Sequence, residues 1–441
     1  MHTPAKFNLR HPWFWVPTLY YAQGIPYIIV MTVSVVMYKR LGISNTDIAL
    51  YTSWLYLPWM IKPLWSPLVD LMRTKRFWIT SMQLLIGAGL AGVALSLPMA
   101  NPFRYTLAFM WLLAFSSATH DIAADGFYML GLSEHDQAWF VGIRSTFYRV
   151  AMLTGQGLLV MLAGHLETMS GGQVQLAWSL TFYVMTGVFL ALWAYHTWRL
   201  PYPDTDIPAA REVRTGFWQA FGLTFATFFR KPYIGVILAF LLLYRFAEAQ
   251  LVKLAAPFLL DTAAAGGLAL STSQVGFIYG TVGLIALALG GILGGMLASR
   301  DGLKYWLWWM VAAINVPNAV YIILAYALPS HMVIVSLAVA IEQFGYGFGF
   351  TAYMLYLMYV SEGEHKTAHF AIGTGLMAAG MMLPGMISGW MQELLGYRHF
   401  FIWVLLATIP SFAATALIPL APEFGKQTAG EPGDHAEPRR T

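Results

Sequence analysis

Twelve long apolar runs dominate the 441-residue sequence, and no other feature limits its fold so tightly. They fall at 13–38, 47–69, 77–97, 104–130, 138–166 and 175–198, and resume at 232–260, 272–298, 303–327, 331–360, 367–393 and 399–420. About 20 apolar residues let a helix cross the hydrocarbon core of a bilayer. Inside that core only helices and closed barrels satisfy every backbone polar group, and these runs are far longer than barrel strands. The expected fold class is therefore an all-α polytopic membrane protein, with twelve transmembrane helices in two six-helix halves. Charged residues are only 10% of the chain and hydrophobic ones 58%, which excludes an ordinary soluble globule.

The longest polar interval separates the runs six and six. It predicts an N-terminal bundle over 1–198, a cytoplasmic linker over 199–231, a C-terminal bundle over 232–420 and a disordered tail over 421–441 rich in Pro, Gly and charge. Within the linker, Phe217, Phe221, Phe225 and Phe228 recur at helical spacing between Arg214 and Arg230. That pattern suits an amphipathic helix on the inner leaflet, or else an extension of the seventh span. Residues Met1 to Pro12 lack the pattern of a cleaved leader, so the first run is expected to remain as a membrane helix. With the N-terminus inside, inner segments hold 16 Lys and Arg and outer loops only four: Lys39, Arg40, Arg104 and Arg398. The positive-inside rule then sets both termini in the cytoplasm.

The net charge of +4 is dispersed among the runs rather than gathered on one face, so no nucleic-acid partner is expected. The absence of cysteine excludes disulfides, thiolate catalysis and Cys-ligated metals, and no cofactor is expected.

Charges inside hydrocarbon are costly and mark pathways or paired networks. Here they are Lys62, Asp121, Asp125, Arg144, Arg149, Arg245, Glu248, Lys253 and Glu342, with His120 beside them. Asp121 and Asp125 are four apart on span four, hence on one helical face. Span five returns antiparallel, so Asp125 is expected to meet Arg144 and Asp121 to meet Arg149. Such pairs could be a static lock between helices or a proton-responsive network with His120 as a further titratable member. Arg245 and Glu248 are spaced for an intrahelical pair, whereas Lys253 has no obvious local partner. Glu342 and Gln343 precede the glycine-rich Gly345-Tyr346-Gly347-Phe348-Gly349, suited to close helix packing or to unwinding beside a ligand. In span one, Pro26 follows Tyr20, Tyr21 and Gln23 and predicts a kink that exposes polar groups suited to sugar hydroxyls.

An internal echo supports duplication. Ser66, Asp70 and Lys75 after span two are matched, 229 residues on, by Gly295, Ser299 and Lys304 after span eight. Asp70, Arg73, Arg300 and Asp301 in these two places are candidate gating-loop residues.

Several segments together resemble the AmpG-type muropeptide permeases, a branch of the major facilitator superfamily related to acetyl-coenzyme A transporters. They are Gly24-Ile25-Pro26, Lys62-Pro63-Leu64-Trp65-Ser66-Pro67-Leu68-Val69-Asp70, Ser117-Ala118-Thr119-His120-Asp121-Ile122-Ala123-Ala124-Asp125, Tyr148-Arg149-Val150-Ala151-Met152-Leu153 and Tyr244-Arg245-Phe246-Ala247-Glu248-Ala249. Phe258-Leu259, and Glu342 before its glycine run, also fit. The resemblance implies proton-driven import of N-acetylglucosaminyl-anhydro-N-acetylmuramic acid fragments by alternating access. Its implied setting is the bacterial inner membrane, as a monomer whose partners are the saccharide or glycopeptide, protons and lipids. It sets Gln23, Lys62, Asp121, Asp125, Arg149, Arg245, Glu248 and Glu342 at the family's polar cavity positions. Gln23, Tyr20, Lys62, Arg245, Lys253, Glu342 and Gln343 are then substrate-binding candidates. His120, Asp121, Asp125, Arg144, Arg149 and Glu248 form the proton-coupling or ion-pair network. The chain departs from the family pattern at His120, where Gln is expected, and at Met129-Leu130-Gly131, where an acidic residue is expected after Tyr128.

The alternative within transport is an importer of siderophores or another anionic solute. An intramembrane enzyme is disfavoured: no His-Glu-x-x-His or serine-nucleophile motif occurs. His120 and Asp121 are also about 100° apart around their helix and cannot easily share one reacting atom.

Overall fold

The computed structural model describes residues 11–207 and 222–426, apart from the side chains of Asp70 and Glu134. Arg214, Phe217 and Phe221 of the expected linker helix lie outside the described residues, as does the tail from residue 427 onward.

The described chain is all-helical. The first half comprises α1 (Pro12–Arg40), α2 (Asn45–Trp54 and Leu57–Met72), α3 (Lys75–Ser96), α4 (Pro102–Gly131), α5 (Glu134–Met152, continued by Leu153–Leu159 and Val160–Met169) and α6 (Val174–Arg199). The second comprises α7 (Ile234–Leu243 and Phe246–Leu260), α8 (Thr272–Asp301), α9 (Leu303–Ala327) and α10 (Met332–Ser361). It ends with the helical segment Lys366–Leu417, which is 52 residues long. A straight helix of that length would extend about 78 Å, far more than a bilayer. The chain turns instead at Gly396, whose φ of 71° and ψ of 163° break the helix into α11 before it and α12 after it. Among the described residues, ten segments are long and apolar enough to cross a membrane. The broken α2, and the division of the 52-residue segment, account for the difference from the twelve apolar runs.

Prolines explain α2. Pro58 stands in the first turn of its second piece and, having no N–H, cannot continue the helix from Trp54. Pro26 acts more gently than a sharp kink. The helix widens after it into one π-helical turn, Ile29–Val33, then resumes. The break in α7 has no proline. Tyr244 and Arg245 leave the helix there, and the carbonyl of Tyr244 accepts a hydrogen bond from Ser411 of α12 at 2.8 Å.

Within the first half α1 packs on α5, and α3 on α4 and α6. In the second half α7 packs on the α11–α12 segment, and α10 on α8 and α9. Two seams join the halves, α2 against α11 and α5 against α8. Glycine makes both close: a Cβ on Gly389 would sit 1.9 Å from the carbonyl oxygen of Asn45, and one on Gly280 would sit 2.0 Å from that of Gln156. The described end of the expected linker helix, residues 222–229, is helical, and its Phe228 is buried in the second half's core against His369.

Candidate functional site

The seams close the space between the halves at one end and leave it open at the other. The result is a cavity of about 820 Å³, lined by α1, α2, α4, α5, α7 and α11. Its mouth carries Arg73, Lys75 and the strap Thr205–Ile207. Asp206 of the strap accepts from the first backbone N–H groups of α3, at 2.6 Å from Lys75 and 3.0 Å from Arg76, where a helix dipole favours a carboxylate.

The two walls differ. The first half supplies Lys62, Asp121, Asp125, Tyr27, Tyr56, Trp59 and Tyr148. The second supplies Phe370, Thr374, Met377, Ala378 and Met381 of α11, with Arg245 as its one charged lining residue among those described.

Asp121 and Asp125 do share a face, but their partners are not all those expected. Asp125 meets Arg144 at 3.5 Å, accepts from the Tyr20 hydroxyl at 3.1 Å, and Arg144 lies 4.7 Å over the Tyr20 ring. Asp121 is held instead by Lys62 and Gln23, which reach it from α2 and α1. Arg149 is exposed and outside the cavity lining, so the Asp121–Arg149 pairing is corrected. Antiparallel counting set the register of α5 on α4, yet α2 lies nearer Asp121.

His120 also departs from expectation. One step around the helix from Asp121, it points into the bundle and is fully buried. There a hydrogen-bonded chain runs from His120 Nε2 to the Gln83 amide (3.0 Å), on to His196 (3.0 Å) and to the Thr18 hydroxyl (2.9 Å). It thus ties α4, α3, α6 and α1 together away from the cavity.

Arg245 does reach the cavity. It stands at the break in α7, and its guanidinium donates to the Tyr346 hydroxyl and lies 4.9 Å over the Phe350 ring. The expected Arg245–Glu248 ion pair is not formed, because the break turns the guanidinium toward α10. Glu248, Glu342 and Gln343 are buried in the second half and do not line the cavity. Neither does Lys253, which is buried where the halves meet. Its ammonium donates to Thr52 of α2 at 3.0 Å and lies 5.1 Å over the Tyr56 ring.

Of the candidate gating residues, Arg73 stands at the mouth. Arg300 and Asp301 pair with each other at 2.9 Å, and Trp306 also donates to Asp301. Asp70 lies in the last turn of α2, with its side chain outside the description.

The closed end is built from residues that the sequence reading assigned no site role. Lys39 at the end of α1 pairs with Asp261 at the end of α7, 2.7 Å away. Tyr397 donates to Asp261 at 2.6 Å, and Asn45 donates to Tyr397 and Gln392. Arg40 turns the other way, to Glu167 at 3.1 Å, and Glu167 also accepts from Thr272 of α8 and from Trp178. One available signal was the pair of basic residues in a loop on the side that the positive-inside rule leaves poor in cations.

Residues 20–388 match the Major Facilitator Superfamily. The chain is 26% identical over 357 residues to the anhydromuropeptide permease of Escherichia coli (strain K12), covering 80% of this chain and 68% of that protein. It is 24% identical over 408 residues to a protein of Rickettsia conorii (strain ATCC VR-613 / Malish 7) named as transporter AmpG 4, covering 88% and 92%. Among solved structures it resembles a variant of the nucleoside transporter NupG (TM-score 0.68, 16% identity, 93% of this chain and 100% of that one). It also resembles a D-xylose-proton symporter (TM-score 0.67, 11% identity, 92% and 97%). An all-helical chain, an internal cavity between two bundles and a match over most of its length place this protein in the Major Facilitator Superfamily, as an AmpG-like membrane transporter and not an enzyme.

Proposed function

We propose that the protein is a proton-coupled importer of muropeptide-type amino-sugar saccharides, working by alternating access in the bacterial inner membrane. The observation that carries this reading is the two-faced cavity. A fragment such as N-acetylglucosaminyl-anhydro-N-acetylmuramic acid presents one carboxylate, several hydroxyl and amide groups, and apolar ring faces. Arg245 lies against neutral aromatic partners rather than a carboxylate, which leaves its charge for the substrate's own. Trp59, held edge-on by Tyr27 at 5.2 Å, offers a face for a sugar ring, and the methionines of α11 adapt to irregular apolar shapes. A volume of about 820 Å³ lies in the range of small-ligand sites. The similarity to the anhydromuropeptide permease favours this substrate class over other anionic solutes.

The distribution of Lys and Arg orients the mouth, with Arg73, Lys75 and Arg76, toward the cytoplasm. The described state is then inward-facing, with the Lys39–Asp261 end closed toward the outside. Purified protein in liposomes, given N-acetylglucosaminyl-anhydro-N-acetylmuramic acid with and without an inward proton gradient, tests the reading. Gradient-stimulated accumulation is expected, and its loss in Arg245→Ala would place the carboxylate. No uptake by folded protein would overturn the substrate assignment and move the search to siderophores and other anionic solutes.

A further inference from the structure

The seam between α5 and α8 occupies only part of the two helices. A Cβ on Gly164 would sit 2.3 Å from the Ser273 nitrogen, one on Gly276 2.8 Å from the Met161 nitrogen, and one on Gly280 2.5 Å from the Gly157 nitrogen. The paired positions move by three and then four residues on each helix, in opposite senses, which defines one antiparallel register. Each helix also contributes one π-helical stretch where they cross, Leu153–Leu159 on α5 and Ile278–Gly283 on α8.

Toward the mouth the helices part. Fifteen residues from Gly157 in that direction is Gly142, and fifteen from Gly280 is Gly295, a rise of about 22 Å on each helix. Both glycines are exposed, and a Cβ on either would meet nothing within 4 Å. The same face of α5 exposes Ala138, Ser145 and Arg149, and that of α8 exposes Ile292 and Ser299 beside a half-buried Ala288. Both faces suit being covered by a helix. The Thr146 hydroxyl donates to the Gly142 carbonyl at 2.9 Å and the Ser299 hydroxyl to the Met296 carbonyl at 2.8 Å, so each is satisfied within its own helix. Membrane helices approach most closely at small residues of this kind.

We infer that these two exposed faces are the missing part of the seam: when the mouth closes, α5 docks on α8 in the register already present, with Gly142 against Gly295 and Ala138 against Ser299. The inference rests on the alternating-access reading above and names the surface that holds the mouth shut in the outward-facing state. The Gly157–Gly280 crossing is the pivot, and contacts given up at Gly164 and Ser273 are replaced at the other end of the same two helices. Arg149 comes to lie over Ala288, whose methyl group leaves room for its stem. Side chains lean toward the N-terminus of their helix, which on α5 is the mouth end, so the guanidinium leaves the seam toward water.

Cysteine pairs in the otherwise cysteine-free full chain, reconstituted in liposomes, read this register without any substrate. Gly142→Cys with Gly295→Cys, and Ala138→Cys with Ser299→Cys, should form disulfides under oxidation, which requires Cα atoms within about 7 Å. Gly142→Cys with Ala288→Cys is displaced by about 10 Å along the seam and should react at least about tenfold more slowly. A displaced pair as fast as the matched ones, or no disulfide in either matched pair, overturns the proposal. Gly295→Leu should slow the Ala138–Ser299 disulfide at least about tenfold, while Gly187→Leu on α6, whose Cβ would also meet open space, should leave it unchanged. Both replacements fall where the described state has room, so unaltered thermal unfolding is expected of them. Labelling of Thr374→Cys from the mouth side keeps the two readings apart. Labelling that slows in Asp261→Asn while no matched pair cross-links refutes this surface and leaves alternating access standing. Matched disulfides without saccharide uptake leave the surface standing and refute the substrate.

Discussion

The cavity's charged wall rests on single side chains whose partners the structure names. Lys62 and Asp121 are 24% and 20% exposed, so their pairing is partly shielded from solvent. Removing one partner leaves the other half-buried with its charge unmet. Lys62→Met should cost about 1–3 kcal/mol of stability, and Lys62→Met with Asp121→Asn less than the sum of the two single changes. Thermal unfolding in detergent gives the comparison, and strict additivity would refute the pairing. Arg149 is exposed and forms no ion pair among the described residues, so Arg149→Ala should leave the Lys62–Asp121 pairing, read by the same double-variant comparison, unchanged. His120 belongs to the bundle interior, where an amide can replace the imidazole in its bond to Gln83. His120→Gln should therefore leave uptake and its pH profile unchanged, and a displaced profile would return His120 to the proton path.

At the level of elements, the breaks matter as much as the helices. The unwound step at Arg245 lets a residue of α7 turn its charge toward both the cavity and α10, and Ser411 supplies the hydrogen bond that the freed Tyr244 carbonyl needs. Ser411→Ala should lower stability by about 1 kcal/mol and weaken substrate binding through a misplaced Arg245. Ser411→Thr, which keeps the hydroxyl, should restore much of both. The seams depend on backbone contact. Gly389→Ala inserts a methyl group against the Asn45 carbonyl and should push α2 from α11, which destabilises the described state more than the same change at Gly295, where the space is open.

For the whole molecule, the closed end acts as a latch between halves. Lys39–Asp261 is only 15% and 18% exposed and is backed by Tyr397 and Asn45. Asp261→Asn should shift the equilibrium away from the described state by about 1–3 kcal/mol, roughly 5- to 150-fold in population. The chain has no cysteine, so one introduced at Thr374 in the cavity is a unique probe. Its labelling from the mouth side should slow in the Asp261→Asn background, and unchanged labelling would show that the latch carries little of the balance.

Hydrophobic run length determined the membrane class and the helical fold, because a bilayer leaves a chain few other ways to satisfy its backbone. The shared face of Asp121 and Asp125, and the approach of Arg144, followed from helical period and short loops, which are local properties. The partners of Asp121, the inward turn of His120, the break at Arg245 and the latch at Lys39 were decided by contacts between residues far apart in the chain. Lys62 is 59 positions from Asp121, Ser411 is 167 from Tyr244, and Asn45 is 347 from Gln392. Helical periodicity sets the direction in which a side chain leaves its own axis. Which helix waits there is a property of the packed bundle, and only the tertiary structure supplies it.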